Sequence, residues 1–173
     1  MSKGPLNRHR RPGLRLPVVD FLDTSVFVEI LDIPFRNDHR TEILAEMDAR
    51  LKEGVRFVLP TATVVETGNH VFQIADGSAR RRCAGTFMGL LRKTANGEAP
   101  WVLHERTWDG SFLVPLCDGV STGMDLAEHA VRKQLGTGDL SIVVERDLYA
   151  SRAQAEVRIW TLEATMGTWA ELP

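Results

Sequence analysis

The sequence predicts a three-layer α/β/α sandwich on a mainly parallel sheet, and three observations carry that prediction. Short apolar runs rich in Val, Ile, Phe and Trp recur at residues 16–22, 55–60, 101–103 and 157–161. Segments of helical period separate them, and strands joined through helices run parallel, with every strand exit at one edge. The chain has 173 residues, 43% of them hydrophobic, which suffices for one compact core and not comfortably for two.

The elements follow in order. Residues 16–22 read as a first strand, buried except for Asp20, and Val26, Phe27, Ile30 and Leu31 begin a helix straight after it. Ile43, Leu44, Met47 and Leu51 mark an amphipathic helix that Gly54 ends. A second strand ends at Pro60, and Thr61 is placed to cap the next helix, whose apolar members are Val64, Val65, Val71, Phe72 and Ile74. A further helix carries Cys83, Ala84, Phe87, Leu90 and Leu91 inward and closes at Asn96-Gly97. Residues 101–103 read as a strand and 112–116 as an extended segment, around a turn at Trp108-Asp109-Gly110. Residues 124–135 are helical, Gly136-Thr137-Gly138 is a turn, Asp139 opens a helix through Leu140, Val143, Val144 and Leu148, and 157–161 form the last strand.

Composition narrows the function. No apolar run approaches the ~20 residues that span a bilayer, and the N-terminus has Pro and Arg where a signal peptide has its apolar segment. A cytoplasmic protein without a membrane partner is the expectation. Cys83 and Cys117 lack CxxC spacing and read as reduced core thiols. The net charge of −2 is uneven: residues 1–15 hold Lys3, Arg8, Arg10, Arg11 and Arg15 and no acid. The remainder holds 16 of the 21 Lys and Arg and all 23 Asp and Glu, a net −7. The division expected is therefore a basic arm over 1–15, suited to a polyanion or simply solubilising, and a single domain over 16–173.

The chemistry lies in four carboxylates at element boundaries. Asp23 follows the first strand, Glu66 lies in the helix after the second, Asp139 is in the first turn of a late helix, and Glu163 follows the last strand. All four can reach one sheet edge, where like charges repel by ~4 kcal/mol per pair at 4 Å and an effective dielectric near 20. A divalent cation resolves that conflict. Hard oxygen ligands select Mg2+ or Mn2+, which can activate water against a phosphodiester. Asp20 and Asp147 are set aside, the first because it points away along the strand and the second because it lies two turns past Asp139.

The stretches that hold these residues are Leu22-Asp23-Thr24-Ser25-Val26-Phe27, Leu59-Pro60-Thr61-Ala62-Thr63-Val64-Val65-Glu66, Leu135-Gly136-Thr137-Gly138-Asp139-Leu140-Ser141-Ile142 and Ile159-Trp160-Thr161-Leu162-Glu163. In their order and context the chain resembles the PIN-domain ribonucleases, over about residues 17 to 165. The resemblance implies an endonuclease dependent on Mg2+ or Mn2+ and acting mostly on RNA, as in the toxins of VapBC-type toxin–antitoxin pairs. It implies an acidic core of Asp23, Glu66 and Asp139, with Ser25 or Thr24 supporting the metal shell, and Glu163 stands where the family usually has Asp. The partner candidates are RNA, a small antitoxin protein and a second copy of the chain.

Around this core, Asn69, His70 and Gln73 form one polar stripe on the Glu66 helix, able to line a cleft or to stand as bystanders. Arg80, Arg81 and Arg82 are either a solvated helix start or phosphate contacts. Trp108, Trp160 and Trp169 read as core or interface anchors rather than base-stacking groups. Two other classes compete. A phosphotransferase using Asp23 as nucleophile fits poorly, because Ser25 replaces the second Asp that haloacid-dehalogenase-like enzymes need. Response-regulator receivers would need adjacent early acids and a late Lys, and beyond Lys93 the only lysine is Lys133, in a helix. A scaffold that keeps the fold without turnover is permitted by Glu163 and opposed by Asp23, Glu66 and Asp139.

Overall fold

A computed structural model describes residues 16–104 and 106–171; the basic arm, residues 1–15, lies outside the described residues. Four strands form one sheet: β1 (Val18–Leu22), β2 (Arg56–Leu59), β3 (Trp101–Leu103) and β4 (Glu156–Trp160). All the pairings are parallel, in the order β3-β2-β1-β4. The helices are α1 (Thr24–Ile30), α2 (Arg40–Lys52), α3 (Thr61–Phe72), α4 (Gly77–Ala95), α5 (Gly110–Asp118), α6 (Leu126–Arg132), α7 (Thr137–Ala150) and α8 (Ala164–Gly167).

The pleat sorts the core into two layers. Leu22, Phe57, Leu59, Trp101 and Trp160 pack with Val26, Phe27, Ile43, Met47 and Cys83, from α1, α2 and α4. Val19, Phe21, Val58, Val157 and Ile159 face the other way, against Phe112, Leu116, Leu140, Val143, Val144 and Met166 from α5, α7 and α8. Helices thus cover both faces, as a parallel sheet requires. The α/β/α sandwich expected from the sequence is the fold.

The differences from the sequence-based expectations have physical reasons. Asp20 is fully buried rather than exposed, because Arg50 Nη1 donates to its Oδ2 at 2.6 Å and Arg158 Nε to its Oδ1 at 2.8 Å. Thr61 does not cap α3; Pro60 occupies the cap position with no side-chain bond, and Thr61 is the first helical residue. On α3 the buried residues are Ala62, Thr63, Thr67 and Val71, while Val65 and Phe72 face solvent. Residues 112–116 belong to a helix, α5. Asp109 Oδ1 accepts from the Ser111 N–H at 2.9 Å, and Phe112 and Leu116, one turn apart, are both buried. Gly119, at φ +66°, ends it in the left-handed region. The helix expected over 124–135 is confined to α6, capped by Asp125. Cys83 is buried, as a core thiol should be, but Cys117 is exposed. Among the described residues, no helix is long and apolar enough to cross a membrane.

Candidate functional site

The order of the strands creates the site. From β1 to β3 the chain steps one way across the sheet, and β4 then returns to the far side of β1. Such a reversal opens a crevice at the carboxyl ends of the two strands it separates, where open α/β sheets bind ligands. Asp23 is the first residue past β1 and Thr161 the first past β4. Bridging the same edge is α3, held by a hydrogen bond from Thr63 Oγ1 to the carbonyl of Leu22 at 2.8 Å.

Asp23 is 1% exposed. Its Oδ2 accepts from Ser25 Oγ at 2.5 Å and Thr161 Oγ1 at 2.8 Å, with a longer contact from the Ser25 N–H at 3.4 Å that caps α1. The backbone N–H groups of Leu162 and Glu163 donate in turn to Ser25 Oγ and Thr161 Oγ1, both at 2.9 Å, tying the chain after β4 to the carboxylate. The second oxygen, Oδ1, is buried without a hydrogen-bond partner among the described residues. A buried carboxylate oxygen left without a donor is costly, and such groups are rare in folded proteins.

Three other carboxylates lie within Coulombic range of Asp23. Glu66 Oε2 accepts from Thr24 Oγ1 at 2.7 Å. Burial pushes the Glu66 carboxyl above its ordinary value, the Thr24 bond lowers it in part, and Asp23 and Glu163 raise it further. Asp139 sits at the third position of α7, where its Oδ2 accepts from the Gly136 N–H at 2.9 Å. Burial pushes Asp139 up to about 6; the Gly136 bond opposes this, and Asp23 and Glu66 add to it. Glu163, at the start of α8, is raised by burial, then by Asp23 and Asp139, against a lowering by Arg36. Every pair among the four therefore repels, and the carboxylates called for by the sequence stand together. Among the described residues, no group of three or more His, Cys, Asp or Glu side chains converges closely enough to hold a metal ion as placed; the four carboxylates are neighbours at Coulombic range.

The hydroxyls take distinct positions: Ser25 holds Asp23, and Thr24 holds Glu66. The polar stripe on α3 turns elsewhere. His70 and Gln73 line a cleft of about 900 Å³ with Phe35, Arg36 and Asp76, and Asn69 is exposed. Burial and the nearby Arg36 lower the His70 pKa. Arg80 Nη1 donates to the Ile74 carbonyl at 2.7 Å, closing the turn before α4. Arg81 and Arg82 are exposed, and neither they nor Arg80 form an ion pair with the four carboxylates among the described residues.

Four residues at the site are absent from the sequence-based set. Thr161 is a direct donor to Asp23, and its place one residue past a strand was the available sign. Gly138 meets Glu66 so closely that a Cβ would overlap the carboxylate, which explains a glycine between Thr137 and Asp139. Arg36 is the cation whose field reaches both Glu163 and His70; it lies between α1 and α2, where no periodic pattern marks it. Trp108 shares a small apolar slot with Glu66, Val65 and Gly138.

The donor set fits a hard cation: carboxylate oxygens only, one of them buried and without a donor. Compared with family models, curated proteins and solved structures, the chain finds no match.

Proposed function

We propose that the protein is a PIN-like endoribonuclease that hydrolyses phosphodiester bonds of single-stranded RNA with Mg2+ or Mn2+. The observation that carries this reading is Asp23 Oδ1, a buried acceptor with no donor, set among three carboxyls whose pKa values are all raised. Asp23, Glu66, Asp139 and Glu163 would hold the cation, which when bound offsets the phosphate charge and makes water a nucleophile near neutral pH.

The chain's own residues prepare the place. Ser25 and Thr161 fix the Asp23 carboxylate by sharing Oδ2, which leaves Oδ1 for the cation. Thr24 orients Glu66, and the missing side chain at Gly138 lets that carboxylate approach α7. Burial raises Asp139 to about 6, so the negative charge of that carboxylate develops as the pH approaches neutrality. Arg36 supplies positive field at the rim beside Glu163, suited to an RNA phosphate. A protein partner, antitoxin or second copy, would find apolar surface at Phe35 and Phe72, which are 97% and 76% exposed.

The test is cleavage of a labelled single-stranded RNA by purified protein in Mg2+, in Mn2+ and in excess chelator. Cleavage confined to the two metals supports the reading, and equal cleavage in chelator rejects it. Equal loss of activity in Glu163→Gln and Asp139→Asn would place Glu163 among the primary ligands; a smaller loss would make it peripheral.

A further inference from the structure

Beside Glu66, on the side of α7, lies a slot of about 240 Å³ lined by Ala62, Val65, Glu66, Trp108, Thr137 and Gly138. It is smaller than the roughly 300–1,000 Å³ of pockets that take whole drug-sized ligands, which leaves room for about a single ring system. Its walls are mostly apolar, Glu66, Thr61, Thr137 and Ser141 being the polar residues that line it. The Trp108 ring is 47% exposed, yet it is not loose: it packs on fully buried Phe112, with ring centroids 4.9 Å apart and planes tilted by 33°. Val65 opposite is 57% exposed. An aromatic braced from behind and open in front is a stacking platform, and the carboxylate cluster next to it repels anions and tolerates a neutral ring.

We propose that this slot holds one unstacked nucleobase of the RNA, stacked on Trp108 beside the Glu66 carboxylate. This rests on the nuclease reading for its substrate, and it adds what that reading lacks: a contact with a base rather than with a phosphate. The shared lining residue, Glu66, fixes the relation between the two. A nucleotide whose phosphate lies at the carboxylates has its base, or a neighbour's, within reach of the slot. Stacking accepts any base, since every base has a π-face, so the subsite selects single strands over duplexes rather than one sequence.

The experiment measures binding of a cleavage-resistant 2′-O-methyl oligonucleotide in Mg2+, intact and with an abasic site moved along it, to wild type, Trp108→Ala and Trp108→Phe. For the wild type, one abasic position is expected to weaken binding roughly tenfold, the scale of base–aromatic stacking. Trp108→Ala should weaken binding of the intact strand by a similar factor and lose sensitivity to that one position, while Trp108→Phe keeps most of both. Trp108→Leu, which preserves apolar cover over Phe112, repeats the test if the alanine variant does not fold. If Trp108→Ala or Trp108→Leu binds as tightly as the wild type, or if every abasic strand loses equally in all proteins, no base occupies the slot. A protein ligand there, or an empty slot, is then the alternative. RNA cleavage by the wild type, run alongside, separates the two readings: cleavage without the coupling rejects the slot alone, and coupling without cleavage rejects the chemistry alone.

Discussion

Asp20 and Asp23 lie three residues apart, both essentially buried, and the protein treats their charges in opposite ways. Asp20 faces two guanidinium groups: Arg158 donates from Nε at 2.8 Å and from Nη2 at 3.1 Å, and Arg50 from Nη1 at 2.6 Å. Arg50 also lies over the Trp160 ring at 4.2 Å, which anchors the whole group to the core. Asp23 has no ion-pair partner among the described residues. Hydroxyls hold one of its oxygens, the other has no partner among the described residues, and three more carboxylates repel it. Burial alone therefore does not separate a structural aspartate from a functional one. What separates them is the countercharge: two guanidinium groups supply it at Asp20, none among the described residues supplies it at Asp23, and the proposed function assigns that role to a cation.

Substitution is the sharpest way to break the comparison. Asp20→Asn leaves Arg50 and Arg158 without their anion and should cost about 3 kcal/mol or more in urea denaturation. Asp23→Asn relieves repulsion and retains an acceptor for Ser25 and Thr161, so its stability without metal should stay within about 1 kcal/mol of wild type or rise. A large loss there would make Asp23 a structural cap like its neighbour.

Activity should fall the other way. Groups behind a metal ligand are typically worth about 10–100-fold, so Asp139→Asn, which on the proposed function removes a ligand charge itself, should lower RNA cleavage by more than about 100-fold at nearly full stability. Asp20→Asn protein that remains folded should cleave normally. A milder probe is Gly138→Ala. The atom in its way is the end of a flexible Glu66 side chain, so the fold should lose less than about 1 kcal/mol, while displacement of that carboxylate should cost roughly tenfold in cleavage. Proportional losses in stability and rate would mean that Gly138 serves packing instead.

The smallest effect is in pH. The folded protein holds the Asp139 proton more tightly than the unfolded chain does, the carboxyl being raised from 3.8 to about 6. The stabilising contribution of that group is complete below 3.8 and is lost as the pH rises through about 6, so the metal-free melting temperature should decline across that interval. Glu66 and Glu163 shift in the same direction. In Mn2+ the decline should shrink or reverse, because the cation binds the deprotonated cluster. The same slope with and without Mn2+ would count against the cluster as its site.

Much of this was legible in the sequence, for local reasons. A carboxylate that ends an apolar strand or enters the first turn of a helix is marked by its neighbours, which is why Asp23 and Asp139 could be placed at one edge. Glu163 was placed by the strand before it, and Glu66 by the helix after β2. Partners distant in sequence were not legible. Asp20 is buried because of Arg50 and Arg158, 30 and 138 residues away, and no local pattern announces either. Phe112-Leu113-Val114-Pro115-Leu116 is apolar at every position, so it fits a strand as well as a helix, and the Asp109 cap decides for α5. Trp108 gave no hint of its position, since it lies past the edge strand β3, packs on Phe112 of α5 and meets Glu66 only across a slot built from distant segments.

The most direct test of the contrast between the two aspartates is thermal denaturation of wild type and Asp23→Asn at neutral pH, with chelator and with saturating Mn2+. A ligand at about 100 times its dissociation constant stabilises by about 2.7 kcal/mol, so the wild-type midpoint should rise by roughly 5–10 °C in Mn2+. Asp23→Asn should show little or none of that rise. An equal rise in both proteins, or none in the wild type, would contradict the assignment of the missing countercharge at Asp23 to a metal ion.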